Sequence, residues 1–166
     1  IVNNAYDILD TYSSSSTEPD PALIIKLLSS PRYDVDKSAY FFAYKINDDG
    51  SYGFAFHSTK PQLNGKKTNI DNPDVNGVKF RRLLIEGALK EKGAFVNYSY
   101  AKGKQDNQQP KLSYSIHLKQ WNWVLVGGIY LDNVEAAVNL QAEQLQGELR
   151  KVLLLILIAS IIVMAF

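Results

Sequence analysis

Few side chains in this chain of 166 residues are able to make or break bonds. A catalytic triad or a histidine-built metal site needs imidazoles and thiolates in number. The sequence holds 2 histidines, His57 and His117, and no cysteine to act as nucleophile or zinc ligand. Paired carboxylates could do acid–base chemistry, but Asp48, Asp49, Asp71 and Asp74 all fall in turn-like sequence, where solvated acids are ordinary. The NDDG stretch at Asn47 has part of the pattern of a calcium loop, yet Lys45 and Phe56 stand where its first ligand and its closing glutamate belong. GKKT at Gly65 has part of a phosphate loop, with Lys60 in place of the first glycine and Lys67 in place of the hydroxyl residue. Asn97-Tyr98-Ser99 fits a glycosylation triplet but lies in sequence that reads as a strand. Neither enzymatic activity nor a metal or other cofactor is expected.

Composition narrows the remaining classes. At 46% hydrophobic the chain can bury one core, and 18 basic against 17 acidic residues leave no field to draw in nucleic acid. The first residue is Ile1, without a charged leader behind it, so the natural start is expected upstream.

The elements follow from periodicity. Ile1, Ala5, Ile8, Leu9 and Tyr12 have helical spacing, ending at SSSSTEPDP. Asp20 and Pro21 open a second helix whose stripe is Leu23, Ile24, Leu27 and Leu28. AYFFAYKI and SYGFAFH, joined by NDDG, predict a hairpin. A helix around Phe80 to Leu89 follows, then the strands AFVNYSY, KLSYSIHL and WVLVGGIYL. The fold class is α+β: a five-stranded antiparallel sheet with helices on one side, a long N-terminal helix and a long C-terminal helix. That last helix is expected from Asp132, with Glu135 in capping-box position, as one rod to Phe166. Val152 to Phe166 is apolar apart from Ser160 and on every side, which reads as the start of a truncated membrane span. Arg150 and Lys151 just before it favour the cytoplasmic side and so argue against an extracytoplasmic domain.

In order, AYFFAYKINDDG, the strand ending in His57, KPQLNGK, NGVKFRRLLIEGALKEKGAFVNYSY, PKLSY and WNWVLVGGIYLDNV resemble the single Cache domain, a PAS-like extracytoplasmic fold of bacterial chemoreceptors and sensor kinases. The resemblance divides the chain into an N-terminal helical segment over 1–31, the sensor domain over 32–134, an exit helix over 135–151 and a membrane helix beginning at 152–166. Ser58, Val126 and Asn133 depart from the proline, glycine and aspartate common in such domains.

The resemblance implies a sensing domain on the outer side of the inner membrane, homodimeric through its helices. Its ligand would be a small organic anion such as acetate, propionate, pyruvate or lactate. For such a carboxylate the donors would be His57 and Lys111, helped by the hydroxyls of Tyr44, Tyr98 and Tyr114, with Phe42 and Phe95 around the alkyl part. Strand alternation puts Tyr40, Phe42 and Tyr44 on one face, and His57 with Gly53 and Ala55 on one face. It separates Lys111 from Tyr114 unless the strand bends near Pro110. The alternative is a module without a small ligand, in a membrane histidine kinase or cyclic-dinucleotide enzyme. It would sense by partner protein or by dimerisation through Val134, Val138, Leu145 and Leu149.

Overall fold

The computed structural model describes residues 20–33, 36–90, 93–103 and 107–164, with side chains described as far as Ile158. The expected first helix, Ile1 to Tyr12, lies outside the described residues. Helix α1 (Pro21–Ser29) starts on Asp20, whose carboxylate accepts the Ala22 N–H at 2.8 Å, and it buries Ile24 and Leu28. Leu27, placed in the stripe by spacing, is exposed.

Five antiparallel strands follow: β1 (Tyr40–Ile46), β2 (Tyr52–His57), β3 (Ala94–Lys102), β4 (Asn107–Leu118) and β5 (Trp123–Tyr130). Their order across the sheet is β2-β1-β5-β4-β3, so the first hairpin docks on the last strand. The NDDG turn closes that hairpin through Gly50 at φ 75°, a left-handed value that suits glycine. Asn122 turns β4 into β5 at φ 54°. Helix α2 (Phe80–Lys90) buries Phe80, Leu84, Ile85 and Ala88.

The helices do not lie on one side. Helix α2 covers the face that carries Tyr40, Phe42, Tyr44, Val96, Tyr98, Val124 and Val126. Helix α1 covers the opposite face, with Phe41, Ala43, Phe56, Ile116, Leu118 and Leu125. Central strands sealed on both faces must be apolar at every position, and β1 and β5 are buried over nearly their whole length. The unbroken apolar runs YFFAY and WVLV signal this in the sequence.

Three of the four turn acids act as braces while keeping contact with solvent. Asp74 accepts backbone N–H groups from Val78 at 2.8 Å, Asn76 at 2.9 Å and Ser99 at 2.6 Å, tying its loop to β3. Asp71 pairs with Arg82 at 2.6 Å, which holds its carboxyl down to about 2. Asp49 accepts from Ser51 and from Lys67 at 2.9 Å.

Helix α3 (Leu131–Met164) forms, from Asp132 onward, a second compact unit. It begins at Leu131, directly after the last residue of β5 and one residue before the expected cap. Among the described residues, no helix is long and apolar enough to cross a membrane. Its apolar stretch starts only after Glu148, Arg150 and Lys151.

Gly128 faces the α2 side between Tyr40 and Ser113. A methyl there would overlap Ser113 Oγ and crowd the Leu112 carbonyl and Lys111 Cε. Gly128→Val is therefore expected to lower stability by about 1–3 kcal/mol, measured by urea unfolding. An unchanged midpoint would show that the sheet yields there.

Candidate ligand-binding site

The α2 side of the sheet is paved with rings. Alternation along β1 presents Tyr40, Phe42 and Tyr44, and β3 adds Tyr98 and Tyr100. Phe80, the first residue of α2, stacks on Tyr98 with ring centroids 4.2 Å apart. Strand β2 does not keep the expected phase. Phe42 pairs with His57 but Tyr44 pairs with Phe54, so a bulge takes up one extra residue. The bulge puts His57 on the same face as Phe54, not with Gly53 and Ala55. His57 is stacked on Phe42 at 5.2 Å and lies 5.8 Å from Phe54. Aromatic rings, not small residues, surround the imidazole.

Lys111 enters this paving from β4 and is 0% exposed. Its Nζ sits 3.8 Å from the Tyr40 ring centroid, 4.8 Å from Tyr130, 5.4 Å from Tyr100 and 5.9 Å from Phe42. It has no hydrogen-bond partner among the described residues. A desolvated cation–π contact is worth about 2 kcal/mol, whereas burying an unpaired ammonium costs several. The cost exceeds the gain, and burial together with the nearby Lys60 charge lowers the Lys111 pKa to about 7.

His57 is held neutral. Burial first, then the charges of Lys111, Lys60 and Arg32, lower its pKa to about 3. The Lys60 backbone N–H donates to Nδ1 at 3.2 Å, which assigns the ring proton to Nε2. His57 is thus a donor without being a cation. The His57 N–H is in turn fixed by Asn64 Oδ1 at 2.8 Å.

Some phenols already have partners. Tyr98 Oη hydrogen-bonds Ser113 Oγ at 3.0 Å, and Tyr130 donates to the Ala101 carbonyl at 2.7 Å. Burial raises the pKa values of Tyr40, Tyr44 and Tyr98, so all three are neutral donors at ordinary pH. The enclosed cavity among Tyr40, Phe42, Tyr44, His57, Phe80 and Tyr98 has a volume of ≈ 10 Å³, about the room for one water. A larger cavity of ≈ 450 Å³ shares Tyr40 with it and is bounded also by Lys60, Lys102, Thr59, Ser38 and Tyr130.

Of the residues singled out in the sequence, His57, Lys111, Phe42, Tyr44 and Tyr98 meet on this face. Tyr114 and Phe95 do not. They pack on each other, 4.5 Å between centroids, on the other face. Strand β4 passes through Pro110 in unbroken register, so no bend brings Tyr114 inward, and Phe95 is 73% exposed. Tyr40, Tyr100, Tyr130, Phe54 and Lys60 were missed. Tyr40 and Tyr100 share alternation with residues that were chosen; Tyr130 becomes visible only through its register pairing with Lys111.

A two-faced sheet that encloses rings and the unpartnered Lys111 amine is the setting of a ligand-binding module, and the comparisons with known proteins give its class. The chain belongs to the Cache domain family, whose dCache_2 model matches residues 1–155, and such domains are non-catalytic ligand-binding modules of chemoreceptors and sensor histidine kinases. It is 29% identical over 132 residues to the methyl-accepting chemotaxis protein McpP of Pseudomonas putida, covering 79% of this chain and 23% of that protein. With the methyl-accepting chemotaxis protein CtpM of Pseudomonas aeruginosa it shares 34% identity over 113 residues, covering 68% and 19%. With the sensor histidine kinase MctS of Rhizobium johnstonii the identity is 28% over 139 residues, covering 82% and 28%. The chain therefore spans less than a third of the length of these relatives.

Among solved structures, a methyl-accepting chemotaxis protein from Vibrio parahaemolyticus superposes with a TM-score of 0.63 at 31% identity, covering 80% of this chain and 84% of that one. A Cache chemosensory domain solved for its carboxylic acid recognition has a TM-score of 0.64 at 24% identity, covering 78% and 87%. The latter likeness is one of fold.

The two perturbed groups predict how stability follows pH. The folded-state pKa of Lys111, about 7, lies below the 10.5 of a free lysine, so between these values the unfolded chain holds a proton that the folded chain lacks. Stability should rise with pH from about 7 to 9.5, by a few kcal/mol at most, until the buried phenols reverse the slope. His57 works the same way lower down: stability should be lost as pH falls from 6.5 to about 3. Lys111→Met should flatten the first limb and His57→Gln the second. Urea unfolding across pH checks both, and wild-type slopes that persist in the variants would contradict the assignment.

Proposed function

We propose that the chain is the extracytoplasmic sensing domain of a bacterial transmembrane receptor, most plainly a chemoreceptor, and that it binds a small organic anion of the acetate, propionate, pyruvate or lactate type. The observation that carries this reading is the Lys111 amine, fully buried and without a hydrogen-bond partner among the described residues. A carboxylate seated against it would convert a destabilising charge into a charge-assisted hydrogen bond in a medium where such bonds are strong. The His57 Nε2–H and the Tyr40 hydroxyl are the neutral donors that complete the cradle. Phe42 and Phe54 enclose a short alkyl end.

Placement outside the inner membrane is supported by the chemoreceptor and kinase relatives. Signal output is supported by connectivity: Tyr130, against the Lys111 amine, is the last residue of β5, and Leu131 is the first of α3. A ligand that displaces Tyr130 pulls on the start of the exit helix, to the extent that its affinity differs between the two positions.

Melting of the chain against acetate, propionate, pyruvate and lactate tests the reading. At 100 times its dissociation constant a true ligand adds roughly 2.7 kcal/mol. Lys111→Ala and His57→Ala should each abolish the response, and silence across the panel would sink the carboxylate claim.

A second reading, dimerisation through α3, is favoured by the exposed side chains of Val134, Val138, Leu145 and Leu149. Here the partner is a second copy. Sedimentation should show a dimer that weakens on Val138→Asp or Leu145→Asp; a monomer at all concentrations would remove this reading.

A further inference from the structure

A lysine amine attacks an electrophile only as the free base, and at the surface of a protein water keeps it protonated. Lys111 is out of reach of bulk solvent. Its side chain is 0% exposed, and its amine has no hydrogen-bond partner among the described residues. The rings of Tyr40 and Tyr130 lie 3.8 and 4.8 Å from it, and that of Tyr100 lies 5.4 Å away.

Lys60 acts on this amine in the same direction as burial. The Lys60 amine touches the Tyr100 hydroxyl at 3.3 Å and sits 4.6 Å from the centre of the same ring, with no acid partner among the described residues. Burial and a neighbouring cation are the two arrangements that free a lysine amine to act as a nucleophile. Both meet on Lys111, and its pKa falls to about 7. From the other elements it is faced by the phenols of Tyr40, Tyr98 and Tyr130 and by the neutral imidazole of His57. The charged groups bounding the two cavities are Lys37, Lys60, Arg81 on α2, and Lys102 with Asp36 as its partner at 2.9 Å. No carboxylate is left to fix a proton on Lys111.

An electrophile that enters between packed rings must be small and uncharged, and its adduct must suit the Lys60 cation. An aldehyde would leave an imine, which is positive when protonated and keeps the repulsion. Carbon dioxide leaves an anion. We infer that Lys111 is a modification site, its amine reversibly carboxylated by carbon dioxide to a carbamate that the Lys60 ammonium holds. The nitrogen lone pair forms the N–C bond, one C=O π bond opens to a carboxylate oxygen, and the surplus N–H proton leaves to the buffer. Lys60 repels the ammonium and attracts the carbamate, so one residue both frees the amine and retains the product. The ≈ 450 Å³ cavity bounded by Tyr40, Tyr130 and Lys60 is the adjoining space into which the added atoms extend. The modified side chain repels an organic carboxylate, so carbon dioxide sets the fraction of domains open to the anion proposed above. The modification itself does not rest on that reading.

NMR of the whole chain in carbon-13 bicarbonate tests this at about pH 8, above the Lys111 value of about 7 and well below that of a free lysine. The wild type should show a carbamate resonance, apart from those of carbon dioxide and bicarbonate, that Lys111→Arg lacks; a resonance common to both belongs to the terminal amine. Alkylating the carbamate with a trialkyloxonium salt and mapping peptides should place the trapped group on Lys111, a readout that needs no variant to fold. Lys60→Met should lower the occupancy about tenfold at equal carbon dioxide, and Lys60→Arg should restore most of it. No Lys111-dependent resonance and no trapped peptide overturn the inference, as does bicarbonate that binds as an ion without forming either. Occupancy unchanged in Lys60→Met overturns the part given to Lys60. None of these failures touches the organic-anion reading, which the melting panel decides.

Discussion

Everything on the α2 side of the sheet answers to one constraint: an ammonium group has been taken out of water and given rings in place of an anion. Lys111 reaches its position because Gly128 leaves space beside it, and because Ser113, next on the same face, turns its hydroxyl to Tyr98. The aromatic paving softens the charge without neutralising it. Burial first, and then the nearby lysine charges, keep His57 uncharged, so Lys111 titrates among neutral donors, with Arg81 lining the adjoining cavity. Under the proposed function such a site is poised rather than stable: a bound anion would complete an electrostatic arrangement that the protein leaves unfinished.

Much of this could be read from residue order. The strands and the α2 helix lie close to where their periodicities put them, although β4 begins at Asn107, four residues before the expected KLSYSIHL, and five of the seven expected site residues meet on one face. What escaped was phase and facing. A single extra residue in β2 moves His57 from the company of Gly53 and Ala55 to that of Phe54, and no local signal in SYGFAFH marks the bulge. Tyr114 and Phe95 were drawn in by chemical type against the alternation of their own strands, and the regular β4 ladder gives alternation the final word. The second covered face was legible in the solid apolar runs of β1 and β5, but α1 could be assigned to it only once the sheet order placed those strands at its centre. The turn acids misled for a related reason. Asp74 looks solvated in sequence because only two of its donors, Asn76 and Val78, are local, while the third, Ser99, comes from β3 beyond α2.

Family membership and geometry carry different parts of the account. The Cache fold explains why a helix continues from the last strand, and it is shared with receptors of more than one output type. The particular arrangement of lysines and tyrosines belongs to this chain's own residues. Fold and ligand are thus separable here: the scaffold is set by β-branched and aromatic packing on two faces, while the ligand reading rests on the Lys111 amine and the rings around it.

The small cavity among Tyr40, His57 and Tyr98, with room for about one water, has a consequence for time as well as for affinity. A carboxylate of the proposed kind would reach the Lys111 amine only when the rings packed around it part. Arrival is then governed by how often the rings separate. At high concentration the response rate reaches a ceiling set by the protein and not by the supply of ligand. Departure is slowed by the same gate, so brief fluctuations outside are averaged before the exit helix registers them. In the proposed sensor the packed rings would act as a low-pass filter on the signal.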